Sequence, residues 1–463
     1  MNANLDNAYF TVLDPTDDFV KFIKKNLSYK DKSKAYQLRR LGRTSWGRTS
    51  ANYQKLKDES QGFLFTDLSN GSTAIPAGLF HADLLNDFQF NITDTSRLTG
   101  KTVALPWINK PYDLRDYQRE AVDSMLTNNK GIINFATGLG KTLVAVHLIK
   151  EYRKRALVVC PSESVAKQFY KDCVDAFGQT KVGFWGGGKR KLNEITIGIA
   201  ASITKDVETF RQHELGLVIV DEVHHVPANT FYAVAQGLSE VGKIFGLSAT
   251  DYRSDGKDIM ITAGCGPVLM RRDIKWGVEN GWLAEPIFIV RQIDTSDAKD
   301  YKDDKLKSYR AHVLNHTAMK KQIREDATKM MAAGKSVLIL VDEVVHGKEL
   351  SQQLGIPFAT GLDKQSQDYV DRLNAGKVPG LIGTEGKISE GTDTKNVDVL
   401  ILANFAASKG QVTQCVGRSL RKQGNKTKAI ILDYIPTGST MLNRHGYQRV
   451  EYYKQMTNNV KVI

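Results

Sequence analysis

The chain has 463 residues, of which 41% are hydrophobic and 25% charged, and its formal net charge at pH 7 is +13. This composition excludes an intrinsically disordered chain, and at roughly 150 residues per domain the length predicts about three domains. No run approaches the ~20 apolar residues that cross a bilayer, and residues 1–15 carry acids where a signal peptide carries bases, so we expect a cytoplasmic protein without membrane contact.

The N-terminal region, predicted to span residues 1–110, has a mixed pattern that indicates a small α+β domain. Its periodicity predicts strands at 9–13 and 62–67 and helices at 17–27 and 81–88. Between Lys21 and Lys57 there are twelve bases and one acid, interleaved with aromatic residues. Such a mixture suits a nucleic-acid surface, because bases contact phosphates and aromatic rings stack on nucleobases; a solvated basic face over an ordinary core is the alternative. The candidate contacts are Lys30, Lys34, Arg39, Arg40, Arg43 and Arg48.

From about residue 112 onward, short apolar runs alternate with helical patterns, which predicts an α/β fold with doubly wound parallel sheets. The alternation occurs twice, separated by a charged stretch at 294–307. We therefore expect two tandem sheet domains, at 111–292 and 293–463. The first has predicted strands at 131–135, 156–160, 196–200, 217–220 and 244–247, and the second at 336–341, 381–383, 399–402 and 429–432.

A glycine-containing loop lies between the first predicted strand of this region and the helical run that follows it. It reads Phe135-Ala-Thr-Gly-Leu-Gly-Lys-Thr142. Backbone N–H groups of such a loop wrap phosphate oxygens, while Lys141 reaches the β- and γ-phosphates and Thr142 holds Mg²⁺. The sequence therefore predicts an ATP site. The loop residues expected to bind the nucleotide are Thr137, Gly138, Gly140, Lys141 and Thr142.

Two acids follow a second buried strand, eighty residues beyond Lys141, in the sequence Asp221-Glu-Val-His-His225. The carboxyl ends of parallel strands share one edge of a sheet, so both acids should lie near the phosphate loop. We predict that Asp221 holds Mg²⁺ and that Glu222 orients and deprotonates the attacking water. The adjacent histidines have no third ligand nearby in the sequence, and the four scattered cysteines lack metal-type spacing, so we expect buried reduced thiols rather than zinc or disulfides.

Together with these two motifs, five further elements in chain order resemble the motif set of superfamily 2 helicases. They are Leu114–Gln118, Cys160–Ser162 with Ser202, Ser248–Thr250, Thr384 with Glu390–Asp393, and Gln414–Arg421. The resemblance implies two RecA-like domains and assigns roles by position. Gln118 would recognise adenine, and Gly391 and Asp393 would contact the nucleotide. Ser162, Ser202 and Thr384 would contact the backbone of one nucleic-acid strand. His224 would couple the nucleotide site to the other domain.

The arginines of the last element are spaced i and i+3, which predicts one helix face. In the family this helix, with Gln414, Arg418 and Arg421, supplies arginine fingers to the γ-phosphate, so that hydrolysis depends on domain position.

Residues 246–256, 266–268 and 278–286 further resemble the branch that contains XPB and the phage helicase UvsW, although Asp251 stands where that branch usually has proline. This resemblance implies duplex DNA as partner, in forked or branched form and without sequence preference, and a phage or bacterial origin. The expected function is ATP-dependent remodelling of forks or junctions. A helicase acting on RNA, and a DNA translocase or clamp that does not separate strands, remain open. Gly186–Gly188 with Lys189–Lys191 predicts a plain turn, with a phosphate contact as the alternative.

Overall fold

The computed structural model describes residues 1–30, 34, 61–223, 228–249, 258–302, 304–361, 363, 365–389, 394, 396–404, 409–422, 424 and 426–463. Several predicted residues lie outside this description: Arg39, Arg40, Arg43, Arg48, His224, Thr250, Asp251, Glu390, Gly391 and Asp393. The chain divides into two compact units, residues 1–135 with 140–271 and residues 136–139 with 272–463.

The N-terminal part of the first unit contains a five-stranded sheet in the order β5-β6-β2-β1-β7. Its strands are β1 (Asn2–Leu5), β2 (Tyr9–Val12), β5 (Thr66–Asp67), β6 (Thr73–Pro76) and β7 (Asn91–Asp94), while β3 (Ser28–Lys30) and β4 (Gln61–Phe63) pair separately. The helices are α1 (Asp17–Asn26), the 3-10 turn Ala77–Leu79 and α2 (Ala82–Leu85). The strand predicted at 62–67 is therefore wrong as one element: Leu64 is buried in the core, and β4 and β5 join different sheets.

Helix α1 begins where the sequence predicts, because the Thr16 hydroxyl accepts a hydrogen bond from the Phe19 N–H at 3.3 Å and two acids occupy the first turn. Its buried face, Phe19 and Ile23, belongs to an apolar cluster that also contains Met260 and Ala263 of a later helix. The N-terminal sheet is thus packed against the rest of the first unit by a shared core.

An eight-stranded sheet forms the remainder of the first unit, in the order β11-β10-β12-β9-β13-β14-β8-β15. Neighbours from β10 to β8 are parallel, and β11 runs antiparallel to β10. The strands are β8 (Lys130–Phe135), β9 (Ala156–Cys160), β10 (Val182–Gly186), β11 (Lys189–Lys191), β12 (Ile195–Ile199), β13 (Leu217–Val220), β14 (Lys243–Ser248) and β15 (Val268–Arg272). Every residue of β9 and β13 is buried, as expected for parallel strands covered on both faces.

The helices that connect these strands are α3 (Asp116–Thr127), α4 (Lys141–Tyr152), α5 (Glu163–Phe177), α6 (Ala200–Ile203), the 3-10 turn Thr204–Asp206, α7 (Val207–Arg211), α8 (Ala228–Gly237) and α9 (Asp258–Cys265). The five strands predicted for this region are confirmed within a residue of their ends. Strands β10, β11 and β15 were not predicted, because their short runs contain glycine or are largely basic.

The second unit contains a seven-stranded sheet, all of it parallel, in the order β18-β19-β17-β20-β21-β16-β22. Its strands are β16 (Glu285–Ile293), β17 (Val337–Val341), β18 (Phe358–Ala359), β19 (Gly380–Thr384), β20 (Val399–Ala403), β21 (Lys428–Pro436) and β22 (Val460–Val462). The helices are α10 (Ile274–Glu279), α11 (Lys305–Tyr309), the π-helical turn Arg310–Leu314, α12 (Thr317–Ala332), α13 (Val344–Leu354), α14 (Ser366–Asn374), α15 (Glu385–Ser389), α16 (Lys409–Ser419) and α17 (Thr440–Lys454). The predicted tandem of parallel-sheet domains behind a small N-terminal region is confirmed.

Cys160, Cys173, Cys265 and Cys415 are all buried and free, as the sequence predicts. Across the described ranges, no helix is both long enough and apolar enough to cross a bilayer.

Candidate functional site

The loop between β8 and α4 has the backbone that its glycines predict. Gly138 and Gly140 have φ of 93° and 83°, in the left-handed region that favours glycine, and Gly140 is the residue that precedes α4. Lys141, the first residue of α4, is buried, and its Nζ donates to the carbonyl oxygen of Phe135 at 3.2 Å. Thr142 follows it, half-buried in the first turn. A helix N-terminus, a lysine and a hydroxyl are thus assembled as an anion site requires.

Gln118 lies directly against this loop. It is almost fully buried, and a Cβ added to Gly140 would overlap its Nε2 atom. Its Oε1 accepts from the Arg115 N–H at 3.0 Å, as in a capping box at the start of α3, and Nε2 is 3.4 Å from the Tyr117 hydroxyl. The sequence pattern did not predict this support of the loop, since nothing local in the sequence relates Gln118 to Gly140. The predicted contact of Gln118 with adenine stays a prediction.

Two carboxylates lie at the end of β13, on the same sheet edge as the loop. Burial, and next the nearby Glu222 carboxylate, raise the pKa of Asp221 to about 7. The Oε1 atom of Glu222 is 3.5 Å from Lys141 Nζ. Glu222 has φ of 45°, a left-handed conformation that is uncommon for a residue with a side chain and costs on the order of 1–3 kcal/mol. The structure therefore brings Lys141, Asp221 and Glu222 together, as the two motifs predict.

A Mg²⁺ ion fits the donors at this edge. Mg²⁺ in proteins is typically held by one or two carboxylates together with substrate phosphates and water, so a cluster of three acidic ligands is not needed. Asp221 supplies a buried carboxylate whose ionised form is disfavoured by its surroundings, and Thr142 supplies a hydroxyl from the adjacent helix start. A cation would relieve this repulsion between the two carboxylates.

In the second unit, Gln414 is buried and Arg418 half-buried on α16, whereas Arg421 lies beyond the end of that helix. The prediction that both arginines share one helix face is therefore wrong. The backbone at Arg421 forms an isolated bridge with Leu283, which draws the chain out of helical geometry after Ser419. Burial lowers the pKa of the Arg421 guanidinium.

The residues predicted to grip nucleic acid occupy strand ends. The Ser162 hydroxyl precedes α5 and accepts from the Val165 N–H at 3.5 Å, so it caps that helix; its own O–H remains a donor. Ser202 is half-buried in α6, directly after β12. The ends of β9 and β12 are paired at Cys160 and Ile199, which brings these two serines to neighbouring positions on one edge.

Three of the remaining predicted contacts lie elsewhere. Thr384 is the half-buried last residue of β19 in the second unit, and Lys30 is the last residue of β3 in the N-terminal region. Lys34 is helical and half-buried.

Comparison with known proteins adds to this geometry. Residues 111–253, less than a third of the chain, match the family described as type III restriction enzyme, res subunit. A putative DNA 3'-5' helicase Rad25 of Halobacterium salinarum is 26% identical over 76% of this chain and 58% of its own length. The ATP-dependent DNA helicase uvsW of Enterobacteria phage T4 is 26% identical over 74% of this chain and 76% of its own, and the DNA 3'-5' translocase XPB2 of Sulfurisphaera tokodaii is 24% identical over 73% and 85%. The chain thus spans little more than half of the length of the Rad25 protein that it matches.

Solved structures show the same fold. A fragment of a putative HsdR subunit of a type I restriction enzyme from Vibrio vulnificus aligns with a TM-score of 0.53 at 23% identity, covering 72% of this chain and 66% of that one. Dbp5 of S. cerevisiae, bound to RNA and ADP BeF3, aligns with a TM-score of 0.53 at 13% identity, covering 77% and 90%.

A tandem of RecA-like parallel sheets, with a phosphate loop and an Asp-Glu pair on one edge, is the architecture typical of nucleic-acid-dependent ATPase motors. Within that class, residues 111–253 match the res subunit of type III restriction enzymes, and about three quarters of the chain is distantly similar to the XPB/Rad25 proteins and to the helicase uvsW of phage T4.

Proposed function

We propose that this chain hydrolyses ATP and uses the energy to move along and remodel DNA. The observation that carries the proposal is the arrangement at the edge of the first sheet, where Lys141 Nζ lies 3.5 Å from Glu222 Oε1 and Asp221 is buried beside them. Lys141 neutralises charge on the β- and γ-phosphates, and Glu222 accepts a proton from the attacking water. The names of the DNA helicase and translocase relatives support DNA as the partner.

Asp221 and Thr142 are the proposed Mg²⁺ ligands. When bound, the ion neutralises charge that develops on the phosphate oxygens. The chain's own part is to bring an ionised carboxylate and a hydroxyl to the start of α4. The strained backbone at Glu222 supports a role for this carboxylate in the chemistry, since such strain is retained mainly at functional sites.

The second unit is proposed to sense the γ-phosphate. Gln414, Arg418 and Arg421 are the candidates, and Gly391 and Asp393 are predicted nucleotide contacts from the same motif set. Arginines that neutralise transition-state charge only in one arrangement of two domains make hydrolysis depend on that arrangement. The contacts of Ser162, Ser202 and Thr384 with the nucleic-acid backbone would then be broken and formed again one at a time. This exchange would move the motor along a strand.

Branched DNA is the proposed substrate, read by the basic N-terminal region through Lys30, Lys34 and the arginines that follow. The Rad25 and XPB2 relatives are named as a 3'-5' helicase and a 3'-5' translocase, and the proposed direction of movement is the same. Because these contacts are mainly to phosphates, binding should be insensitive to base sequence and strongly weakened by salt.

The test is an assay of the purified protein with ATP and Mg²⁺ on single-stranded, duplex, 3'-tailed, 5'-tailed, forked and four-way DNA, and on RNA. We expect ATPase stimulation by DNA and strand displacement or junction migration that Lys141→Ala abolishes. Lys321→Ala is the matched control, because Lys321 is an exposed lysine on α12. Activity on forks that survives in Lys141→Ala contradicts the proposed site, and equal or greater stimulation by RNA contradicts DNA as the substrate.

A second candidate is an ATP-dependent DNA translocase that does not separate strands. The match of residues 111–253 to the res subunit of type III restriction enzymes, and the relative named as a translocase, favour it. Displacement of a bound protein roadblock without release of either DNA strand would identify this activity. Release of a labelled strand by the wild-type protein excludes it.

A further inference from the structure

Strands β10 and β11 form a tight hairpin at the end of the first large sheet. Trp185 pairs with Arg190, and the two-residue connection is Gly187 and Gly188, with φ of 55° and 83°. Positive φ at both central residues suits a two-residue hairpin, and it leaves the tip without side chains. The turn predicted from the glycine run is confirmed.

This tip emerges at the same sheet edge as Ser202 and Ser162, which are predicted to contact the nucleic-acid backbone. Parallel neighbours pair Trp185 with Gly198, and Ile199 with Cys160, so the ends of β10, β12 and β9 are aligned. The hairpin tip, Ser202 and Ser162 follow these three strand ends in that spatial order. Strands are about 4.8 Å apart, so the tip lies on the order of 10 Å from the end of β9, about three nucleotides of one DNA strand.

The three basic residues of β11, Lys189–Lys191, are exposed, and their side chains alternate between the two faces of the strand. Arg190 stacks over Trp185 at 5.1 Å and lies 3.3 Å from Asp206 Oδ2, so its charge is compensated. Lys189 and Lys191 lie on the opposite face, that of Phe184. Among the residues that the structure describes, neither lysine has a carboxylate within ion-pair distance.

An acidic side chain does lie near the tip. A Cβ on Gly187 would be 3.0 Å from the carboxylate carbon of Glu163, but that carboxylate pairs with Lys167 at 2.7 Å. Within the described part of the chain, the hairpin therefore retains two uncompensated positive charges next to the sheet edge at which Ser162 lies.

We propose that the β10–β11 hairpin is a binding site for the phosphodiester backbone of DNA, with Lys189 and Lys191 on phosphates in line with Ser202 and Ser162. The inference rests on the proposed function and extends it by a third contact on one edge. Lysines on the last strand of a sheet also block pairing with another chain, and that role alone is the competing explanation.

The experiment measures binding of the full-length protein to a fluorescent single-stranded DNA over a range of salt concentrations. The readout is the slope of log Kobs against log salt concentration, whose magnitude is about 0.7 for each phosphate that the protein neutralises on a single strand. We expect Lys189→Ala/Lys191→Ala to reduce the magnitude of the slope by about 1.4, twice that value, and Lys189→Arg/Lys191→Arg to restore it. Lys329→Ala/Lys335→Ala is the matched control, because it removes the same charge from exposed positions of the second unit. Both lysines precede the start of β17, whereas the predicted contact Thr384 of that unit lies at the end of β19.

Thermal melting confirms that each variant is folded before binding is compared. A steep slope in the wild type that Lys189→Ala/Lys191→Ala leaves unchanged overturns the hairpin proposal and leaves the proposed function standing; increased aggregation of that variant would then identify edge protection as the role. Absence of DNA binding by the wild type overturns both.

Discussion

The backbone of Gly140 passes directly against the side-chain amide of Gln118, so closely that a Cβ at position 140 would overlap Nε2. Gln118 is in turn held by the N–H of Arg115. The first turn of α3 therefore packs against the phosphate loop, and the geometry of the loop depends on residues more than twenty positions earlier in the chain.

Gly140→Ala should abolish nucleotide binding, because it combines a φ of 83° with this collision. Gly71→Ala is a matched control: its φ is 82°, but nothing lies within 4 Å of the added Cβ. The control should lose only about 1 kcal/mol of stability and retain ATP affinity. Binding of a fluorescent ATP analogue measures both, and equal affinity in Gly140→Ala and Gly71→Ala would show that the contact with Gln118 is unimportant.

Glu222→Gln should bind ATP but hydrolyse it at least about 100-fold more slowly, since removing a general base typically costs 10²–10⁴ in rate. Glu325→Gln, the same substitution at an exposed helix position, is the control and should leave the rate unchanged. DNA-stimulated phosphate release and nucleotide titration separate the two effects. A Glu222→Gln variant with normal turnover would assign the base to another residue.

Arg449→Met should destabilise the second unit by about 3–5 kcal/mol, because it leaves Asp433 as a buried carboxylate without its cation. Arg449 Nε and Nη2 lie 2.8 Å and 2.9 Å from Asp433, both side chains are at most 1% exposed, and the Tyr453 hydroxyl donates to the same carboxylate at 2.7 Å. Lys454→Met removes an exposed ion pair with Glu451 and should cost less than about 1 kcal/mol.

Urea unfolding followed by far-UV circular dichroism compares these two variants. Because the chain has two units, the midpoint of the transition assigned to the second unit is the quantity to compare. Similar decreases in stability for Arg449→Met and Lys454→Met would argue against a structural role for the buried pair.

Stability should decline in mild acid because of His346. Burial lowers the pKa of this fully buried imidazole to about 4 from an ordinary 6.5, so between these values the unfolded chain binds a proton that the folded chain does not. The free energy of unfolding therefore falls as pH drops from about 6.5 to about 4, by roughly 1.4 kcal/mol per pH unit, and levels off below.

His346→Gln removes this titration, so the difference in unfolding free energy between wild type and variant should shrink as pH is lowered through that window. Chemical unfolding at half-unit pH steps measures the difference. A constant difference from pH 7 to pH 4 would show that His346 is not the group that titrates.

The local sequence determined much of this protein. The run from Phe135 to Thr142, and Asp221 with Glu222 after a buried strand, were sufficient to predict a nucleotide site and a parallel sheet, because strand, loop and helix start are specified within a few residues. Short unbroken apolar runs rich in β-branched residues, such as Leu217–Val220, indicate strands of a sheet covered on both faces.

Other features were decided by tertiary structure alone. The contact between Gln118 and Gly140, the split of residues 62–67 between two sheets, and the departure of Arg421 from the helix of Arg418 all depend on partners distant in the chain. Hydrogen-bond partners and packing across such distances override local periodicity. The alignment of the β10–β11 hairpin with Ser202 and Ser162 is of this kind as well, because strand order, which no local pattern encodes, sets which loops share an edge.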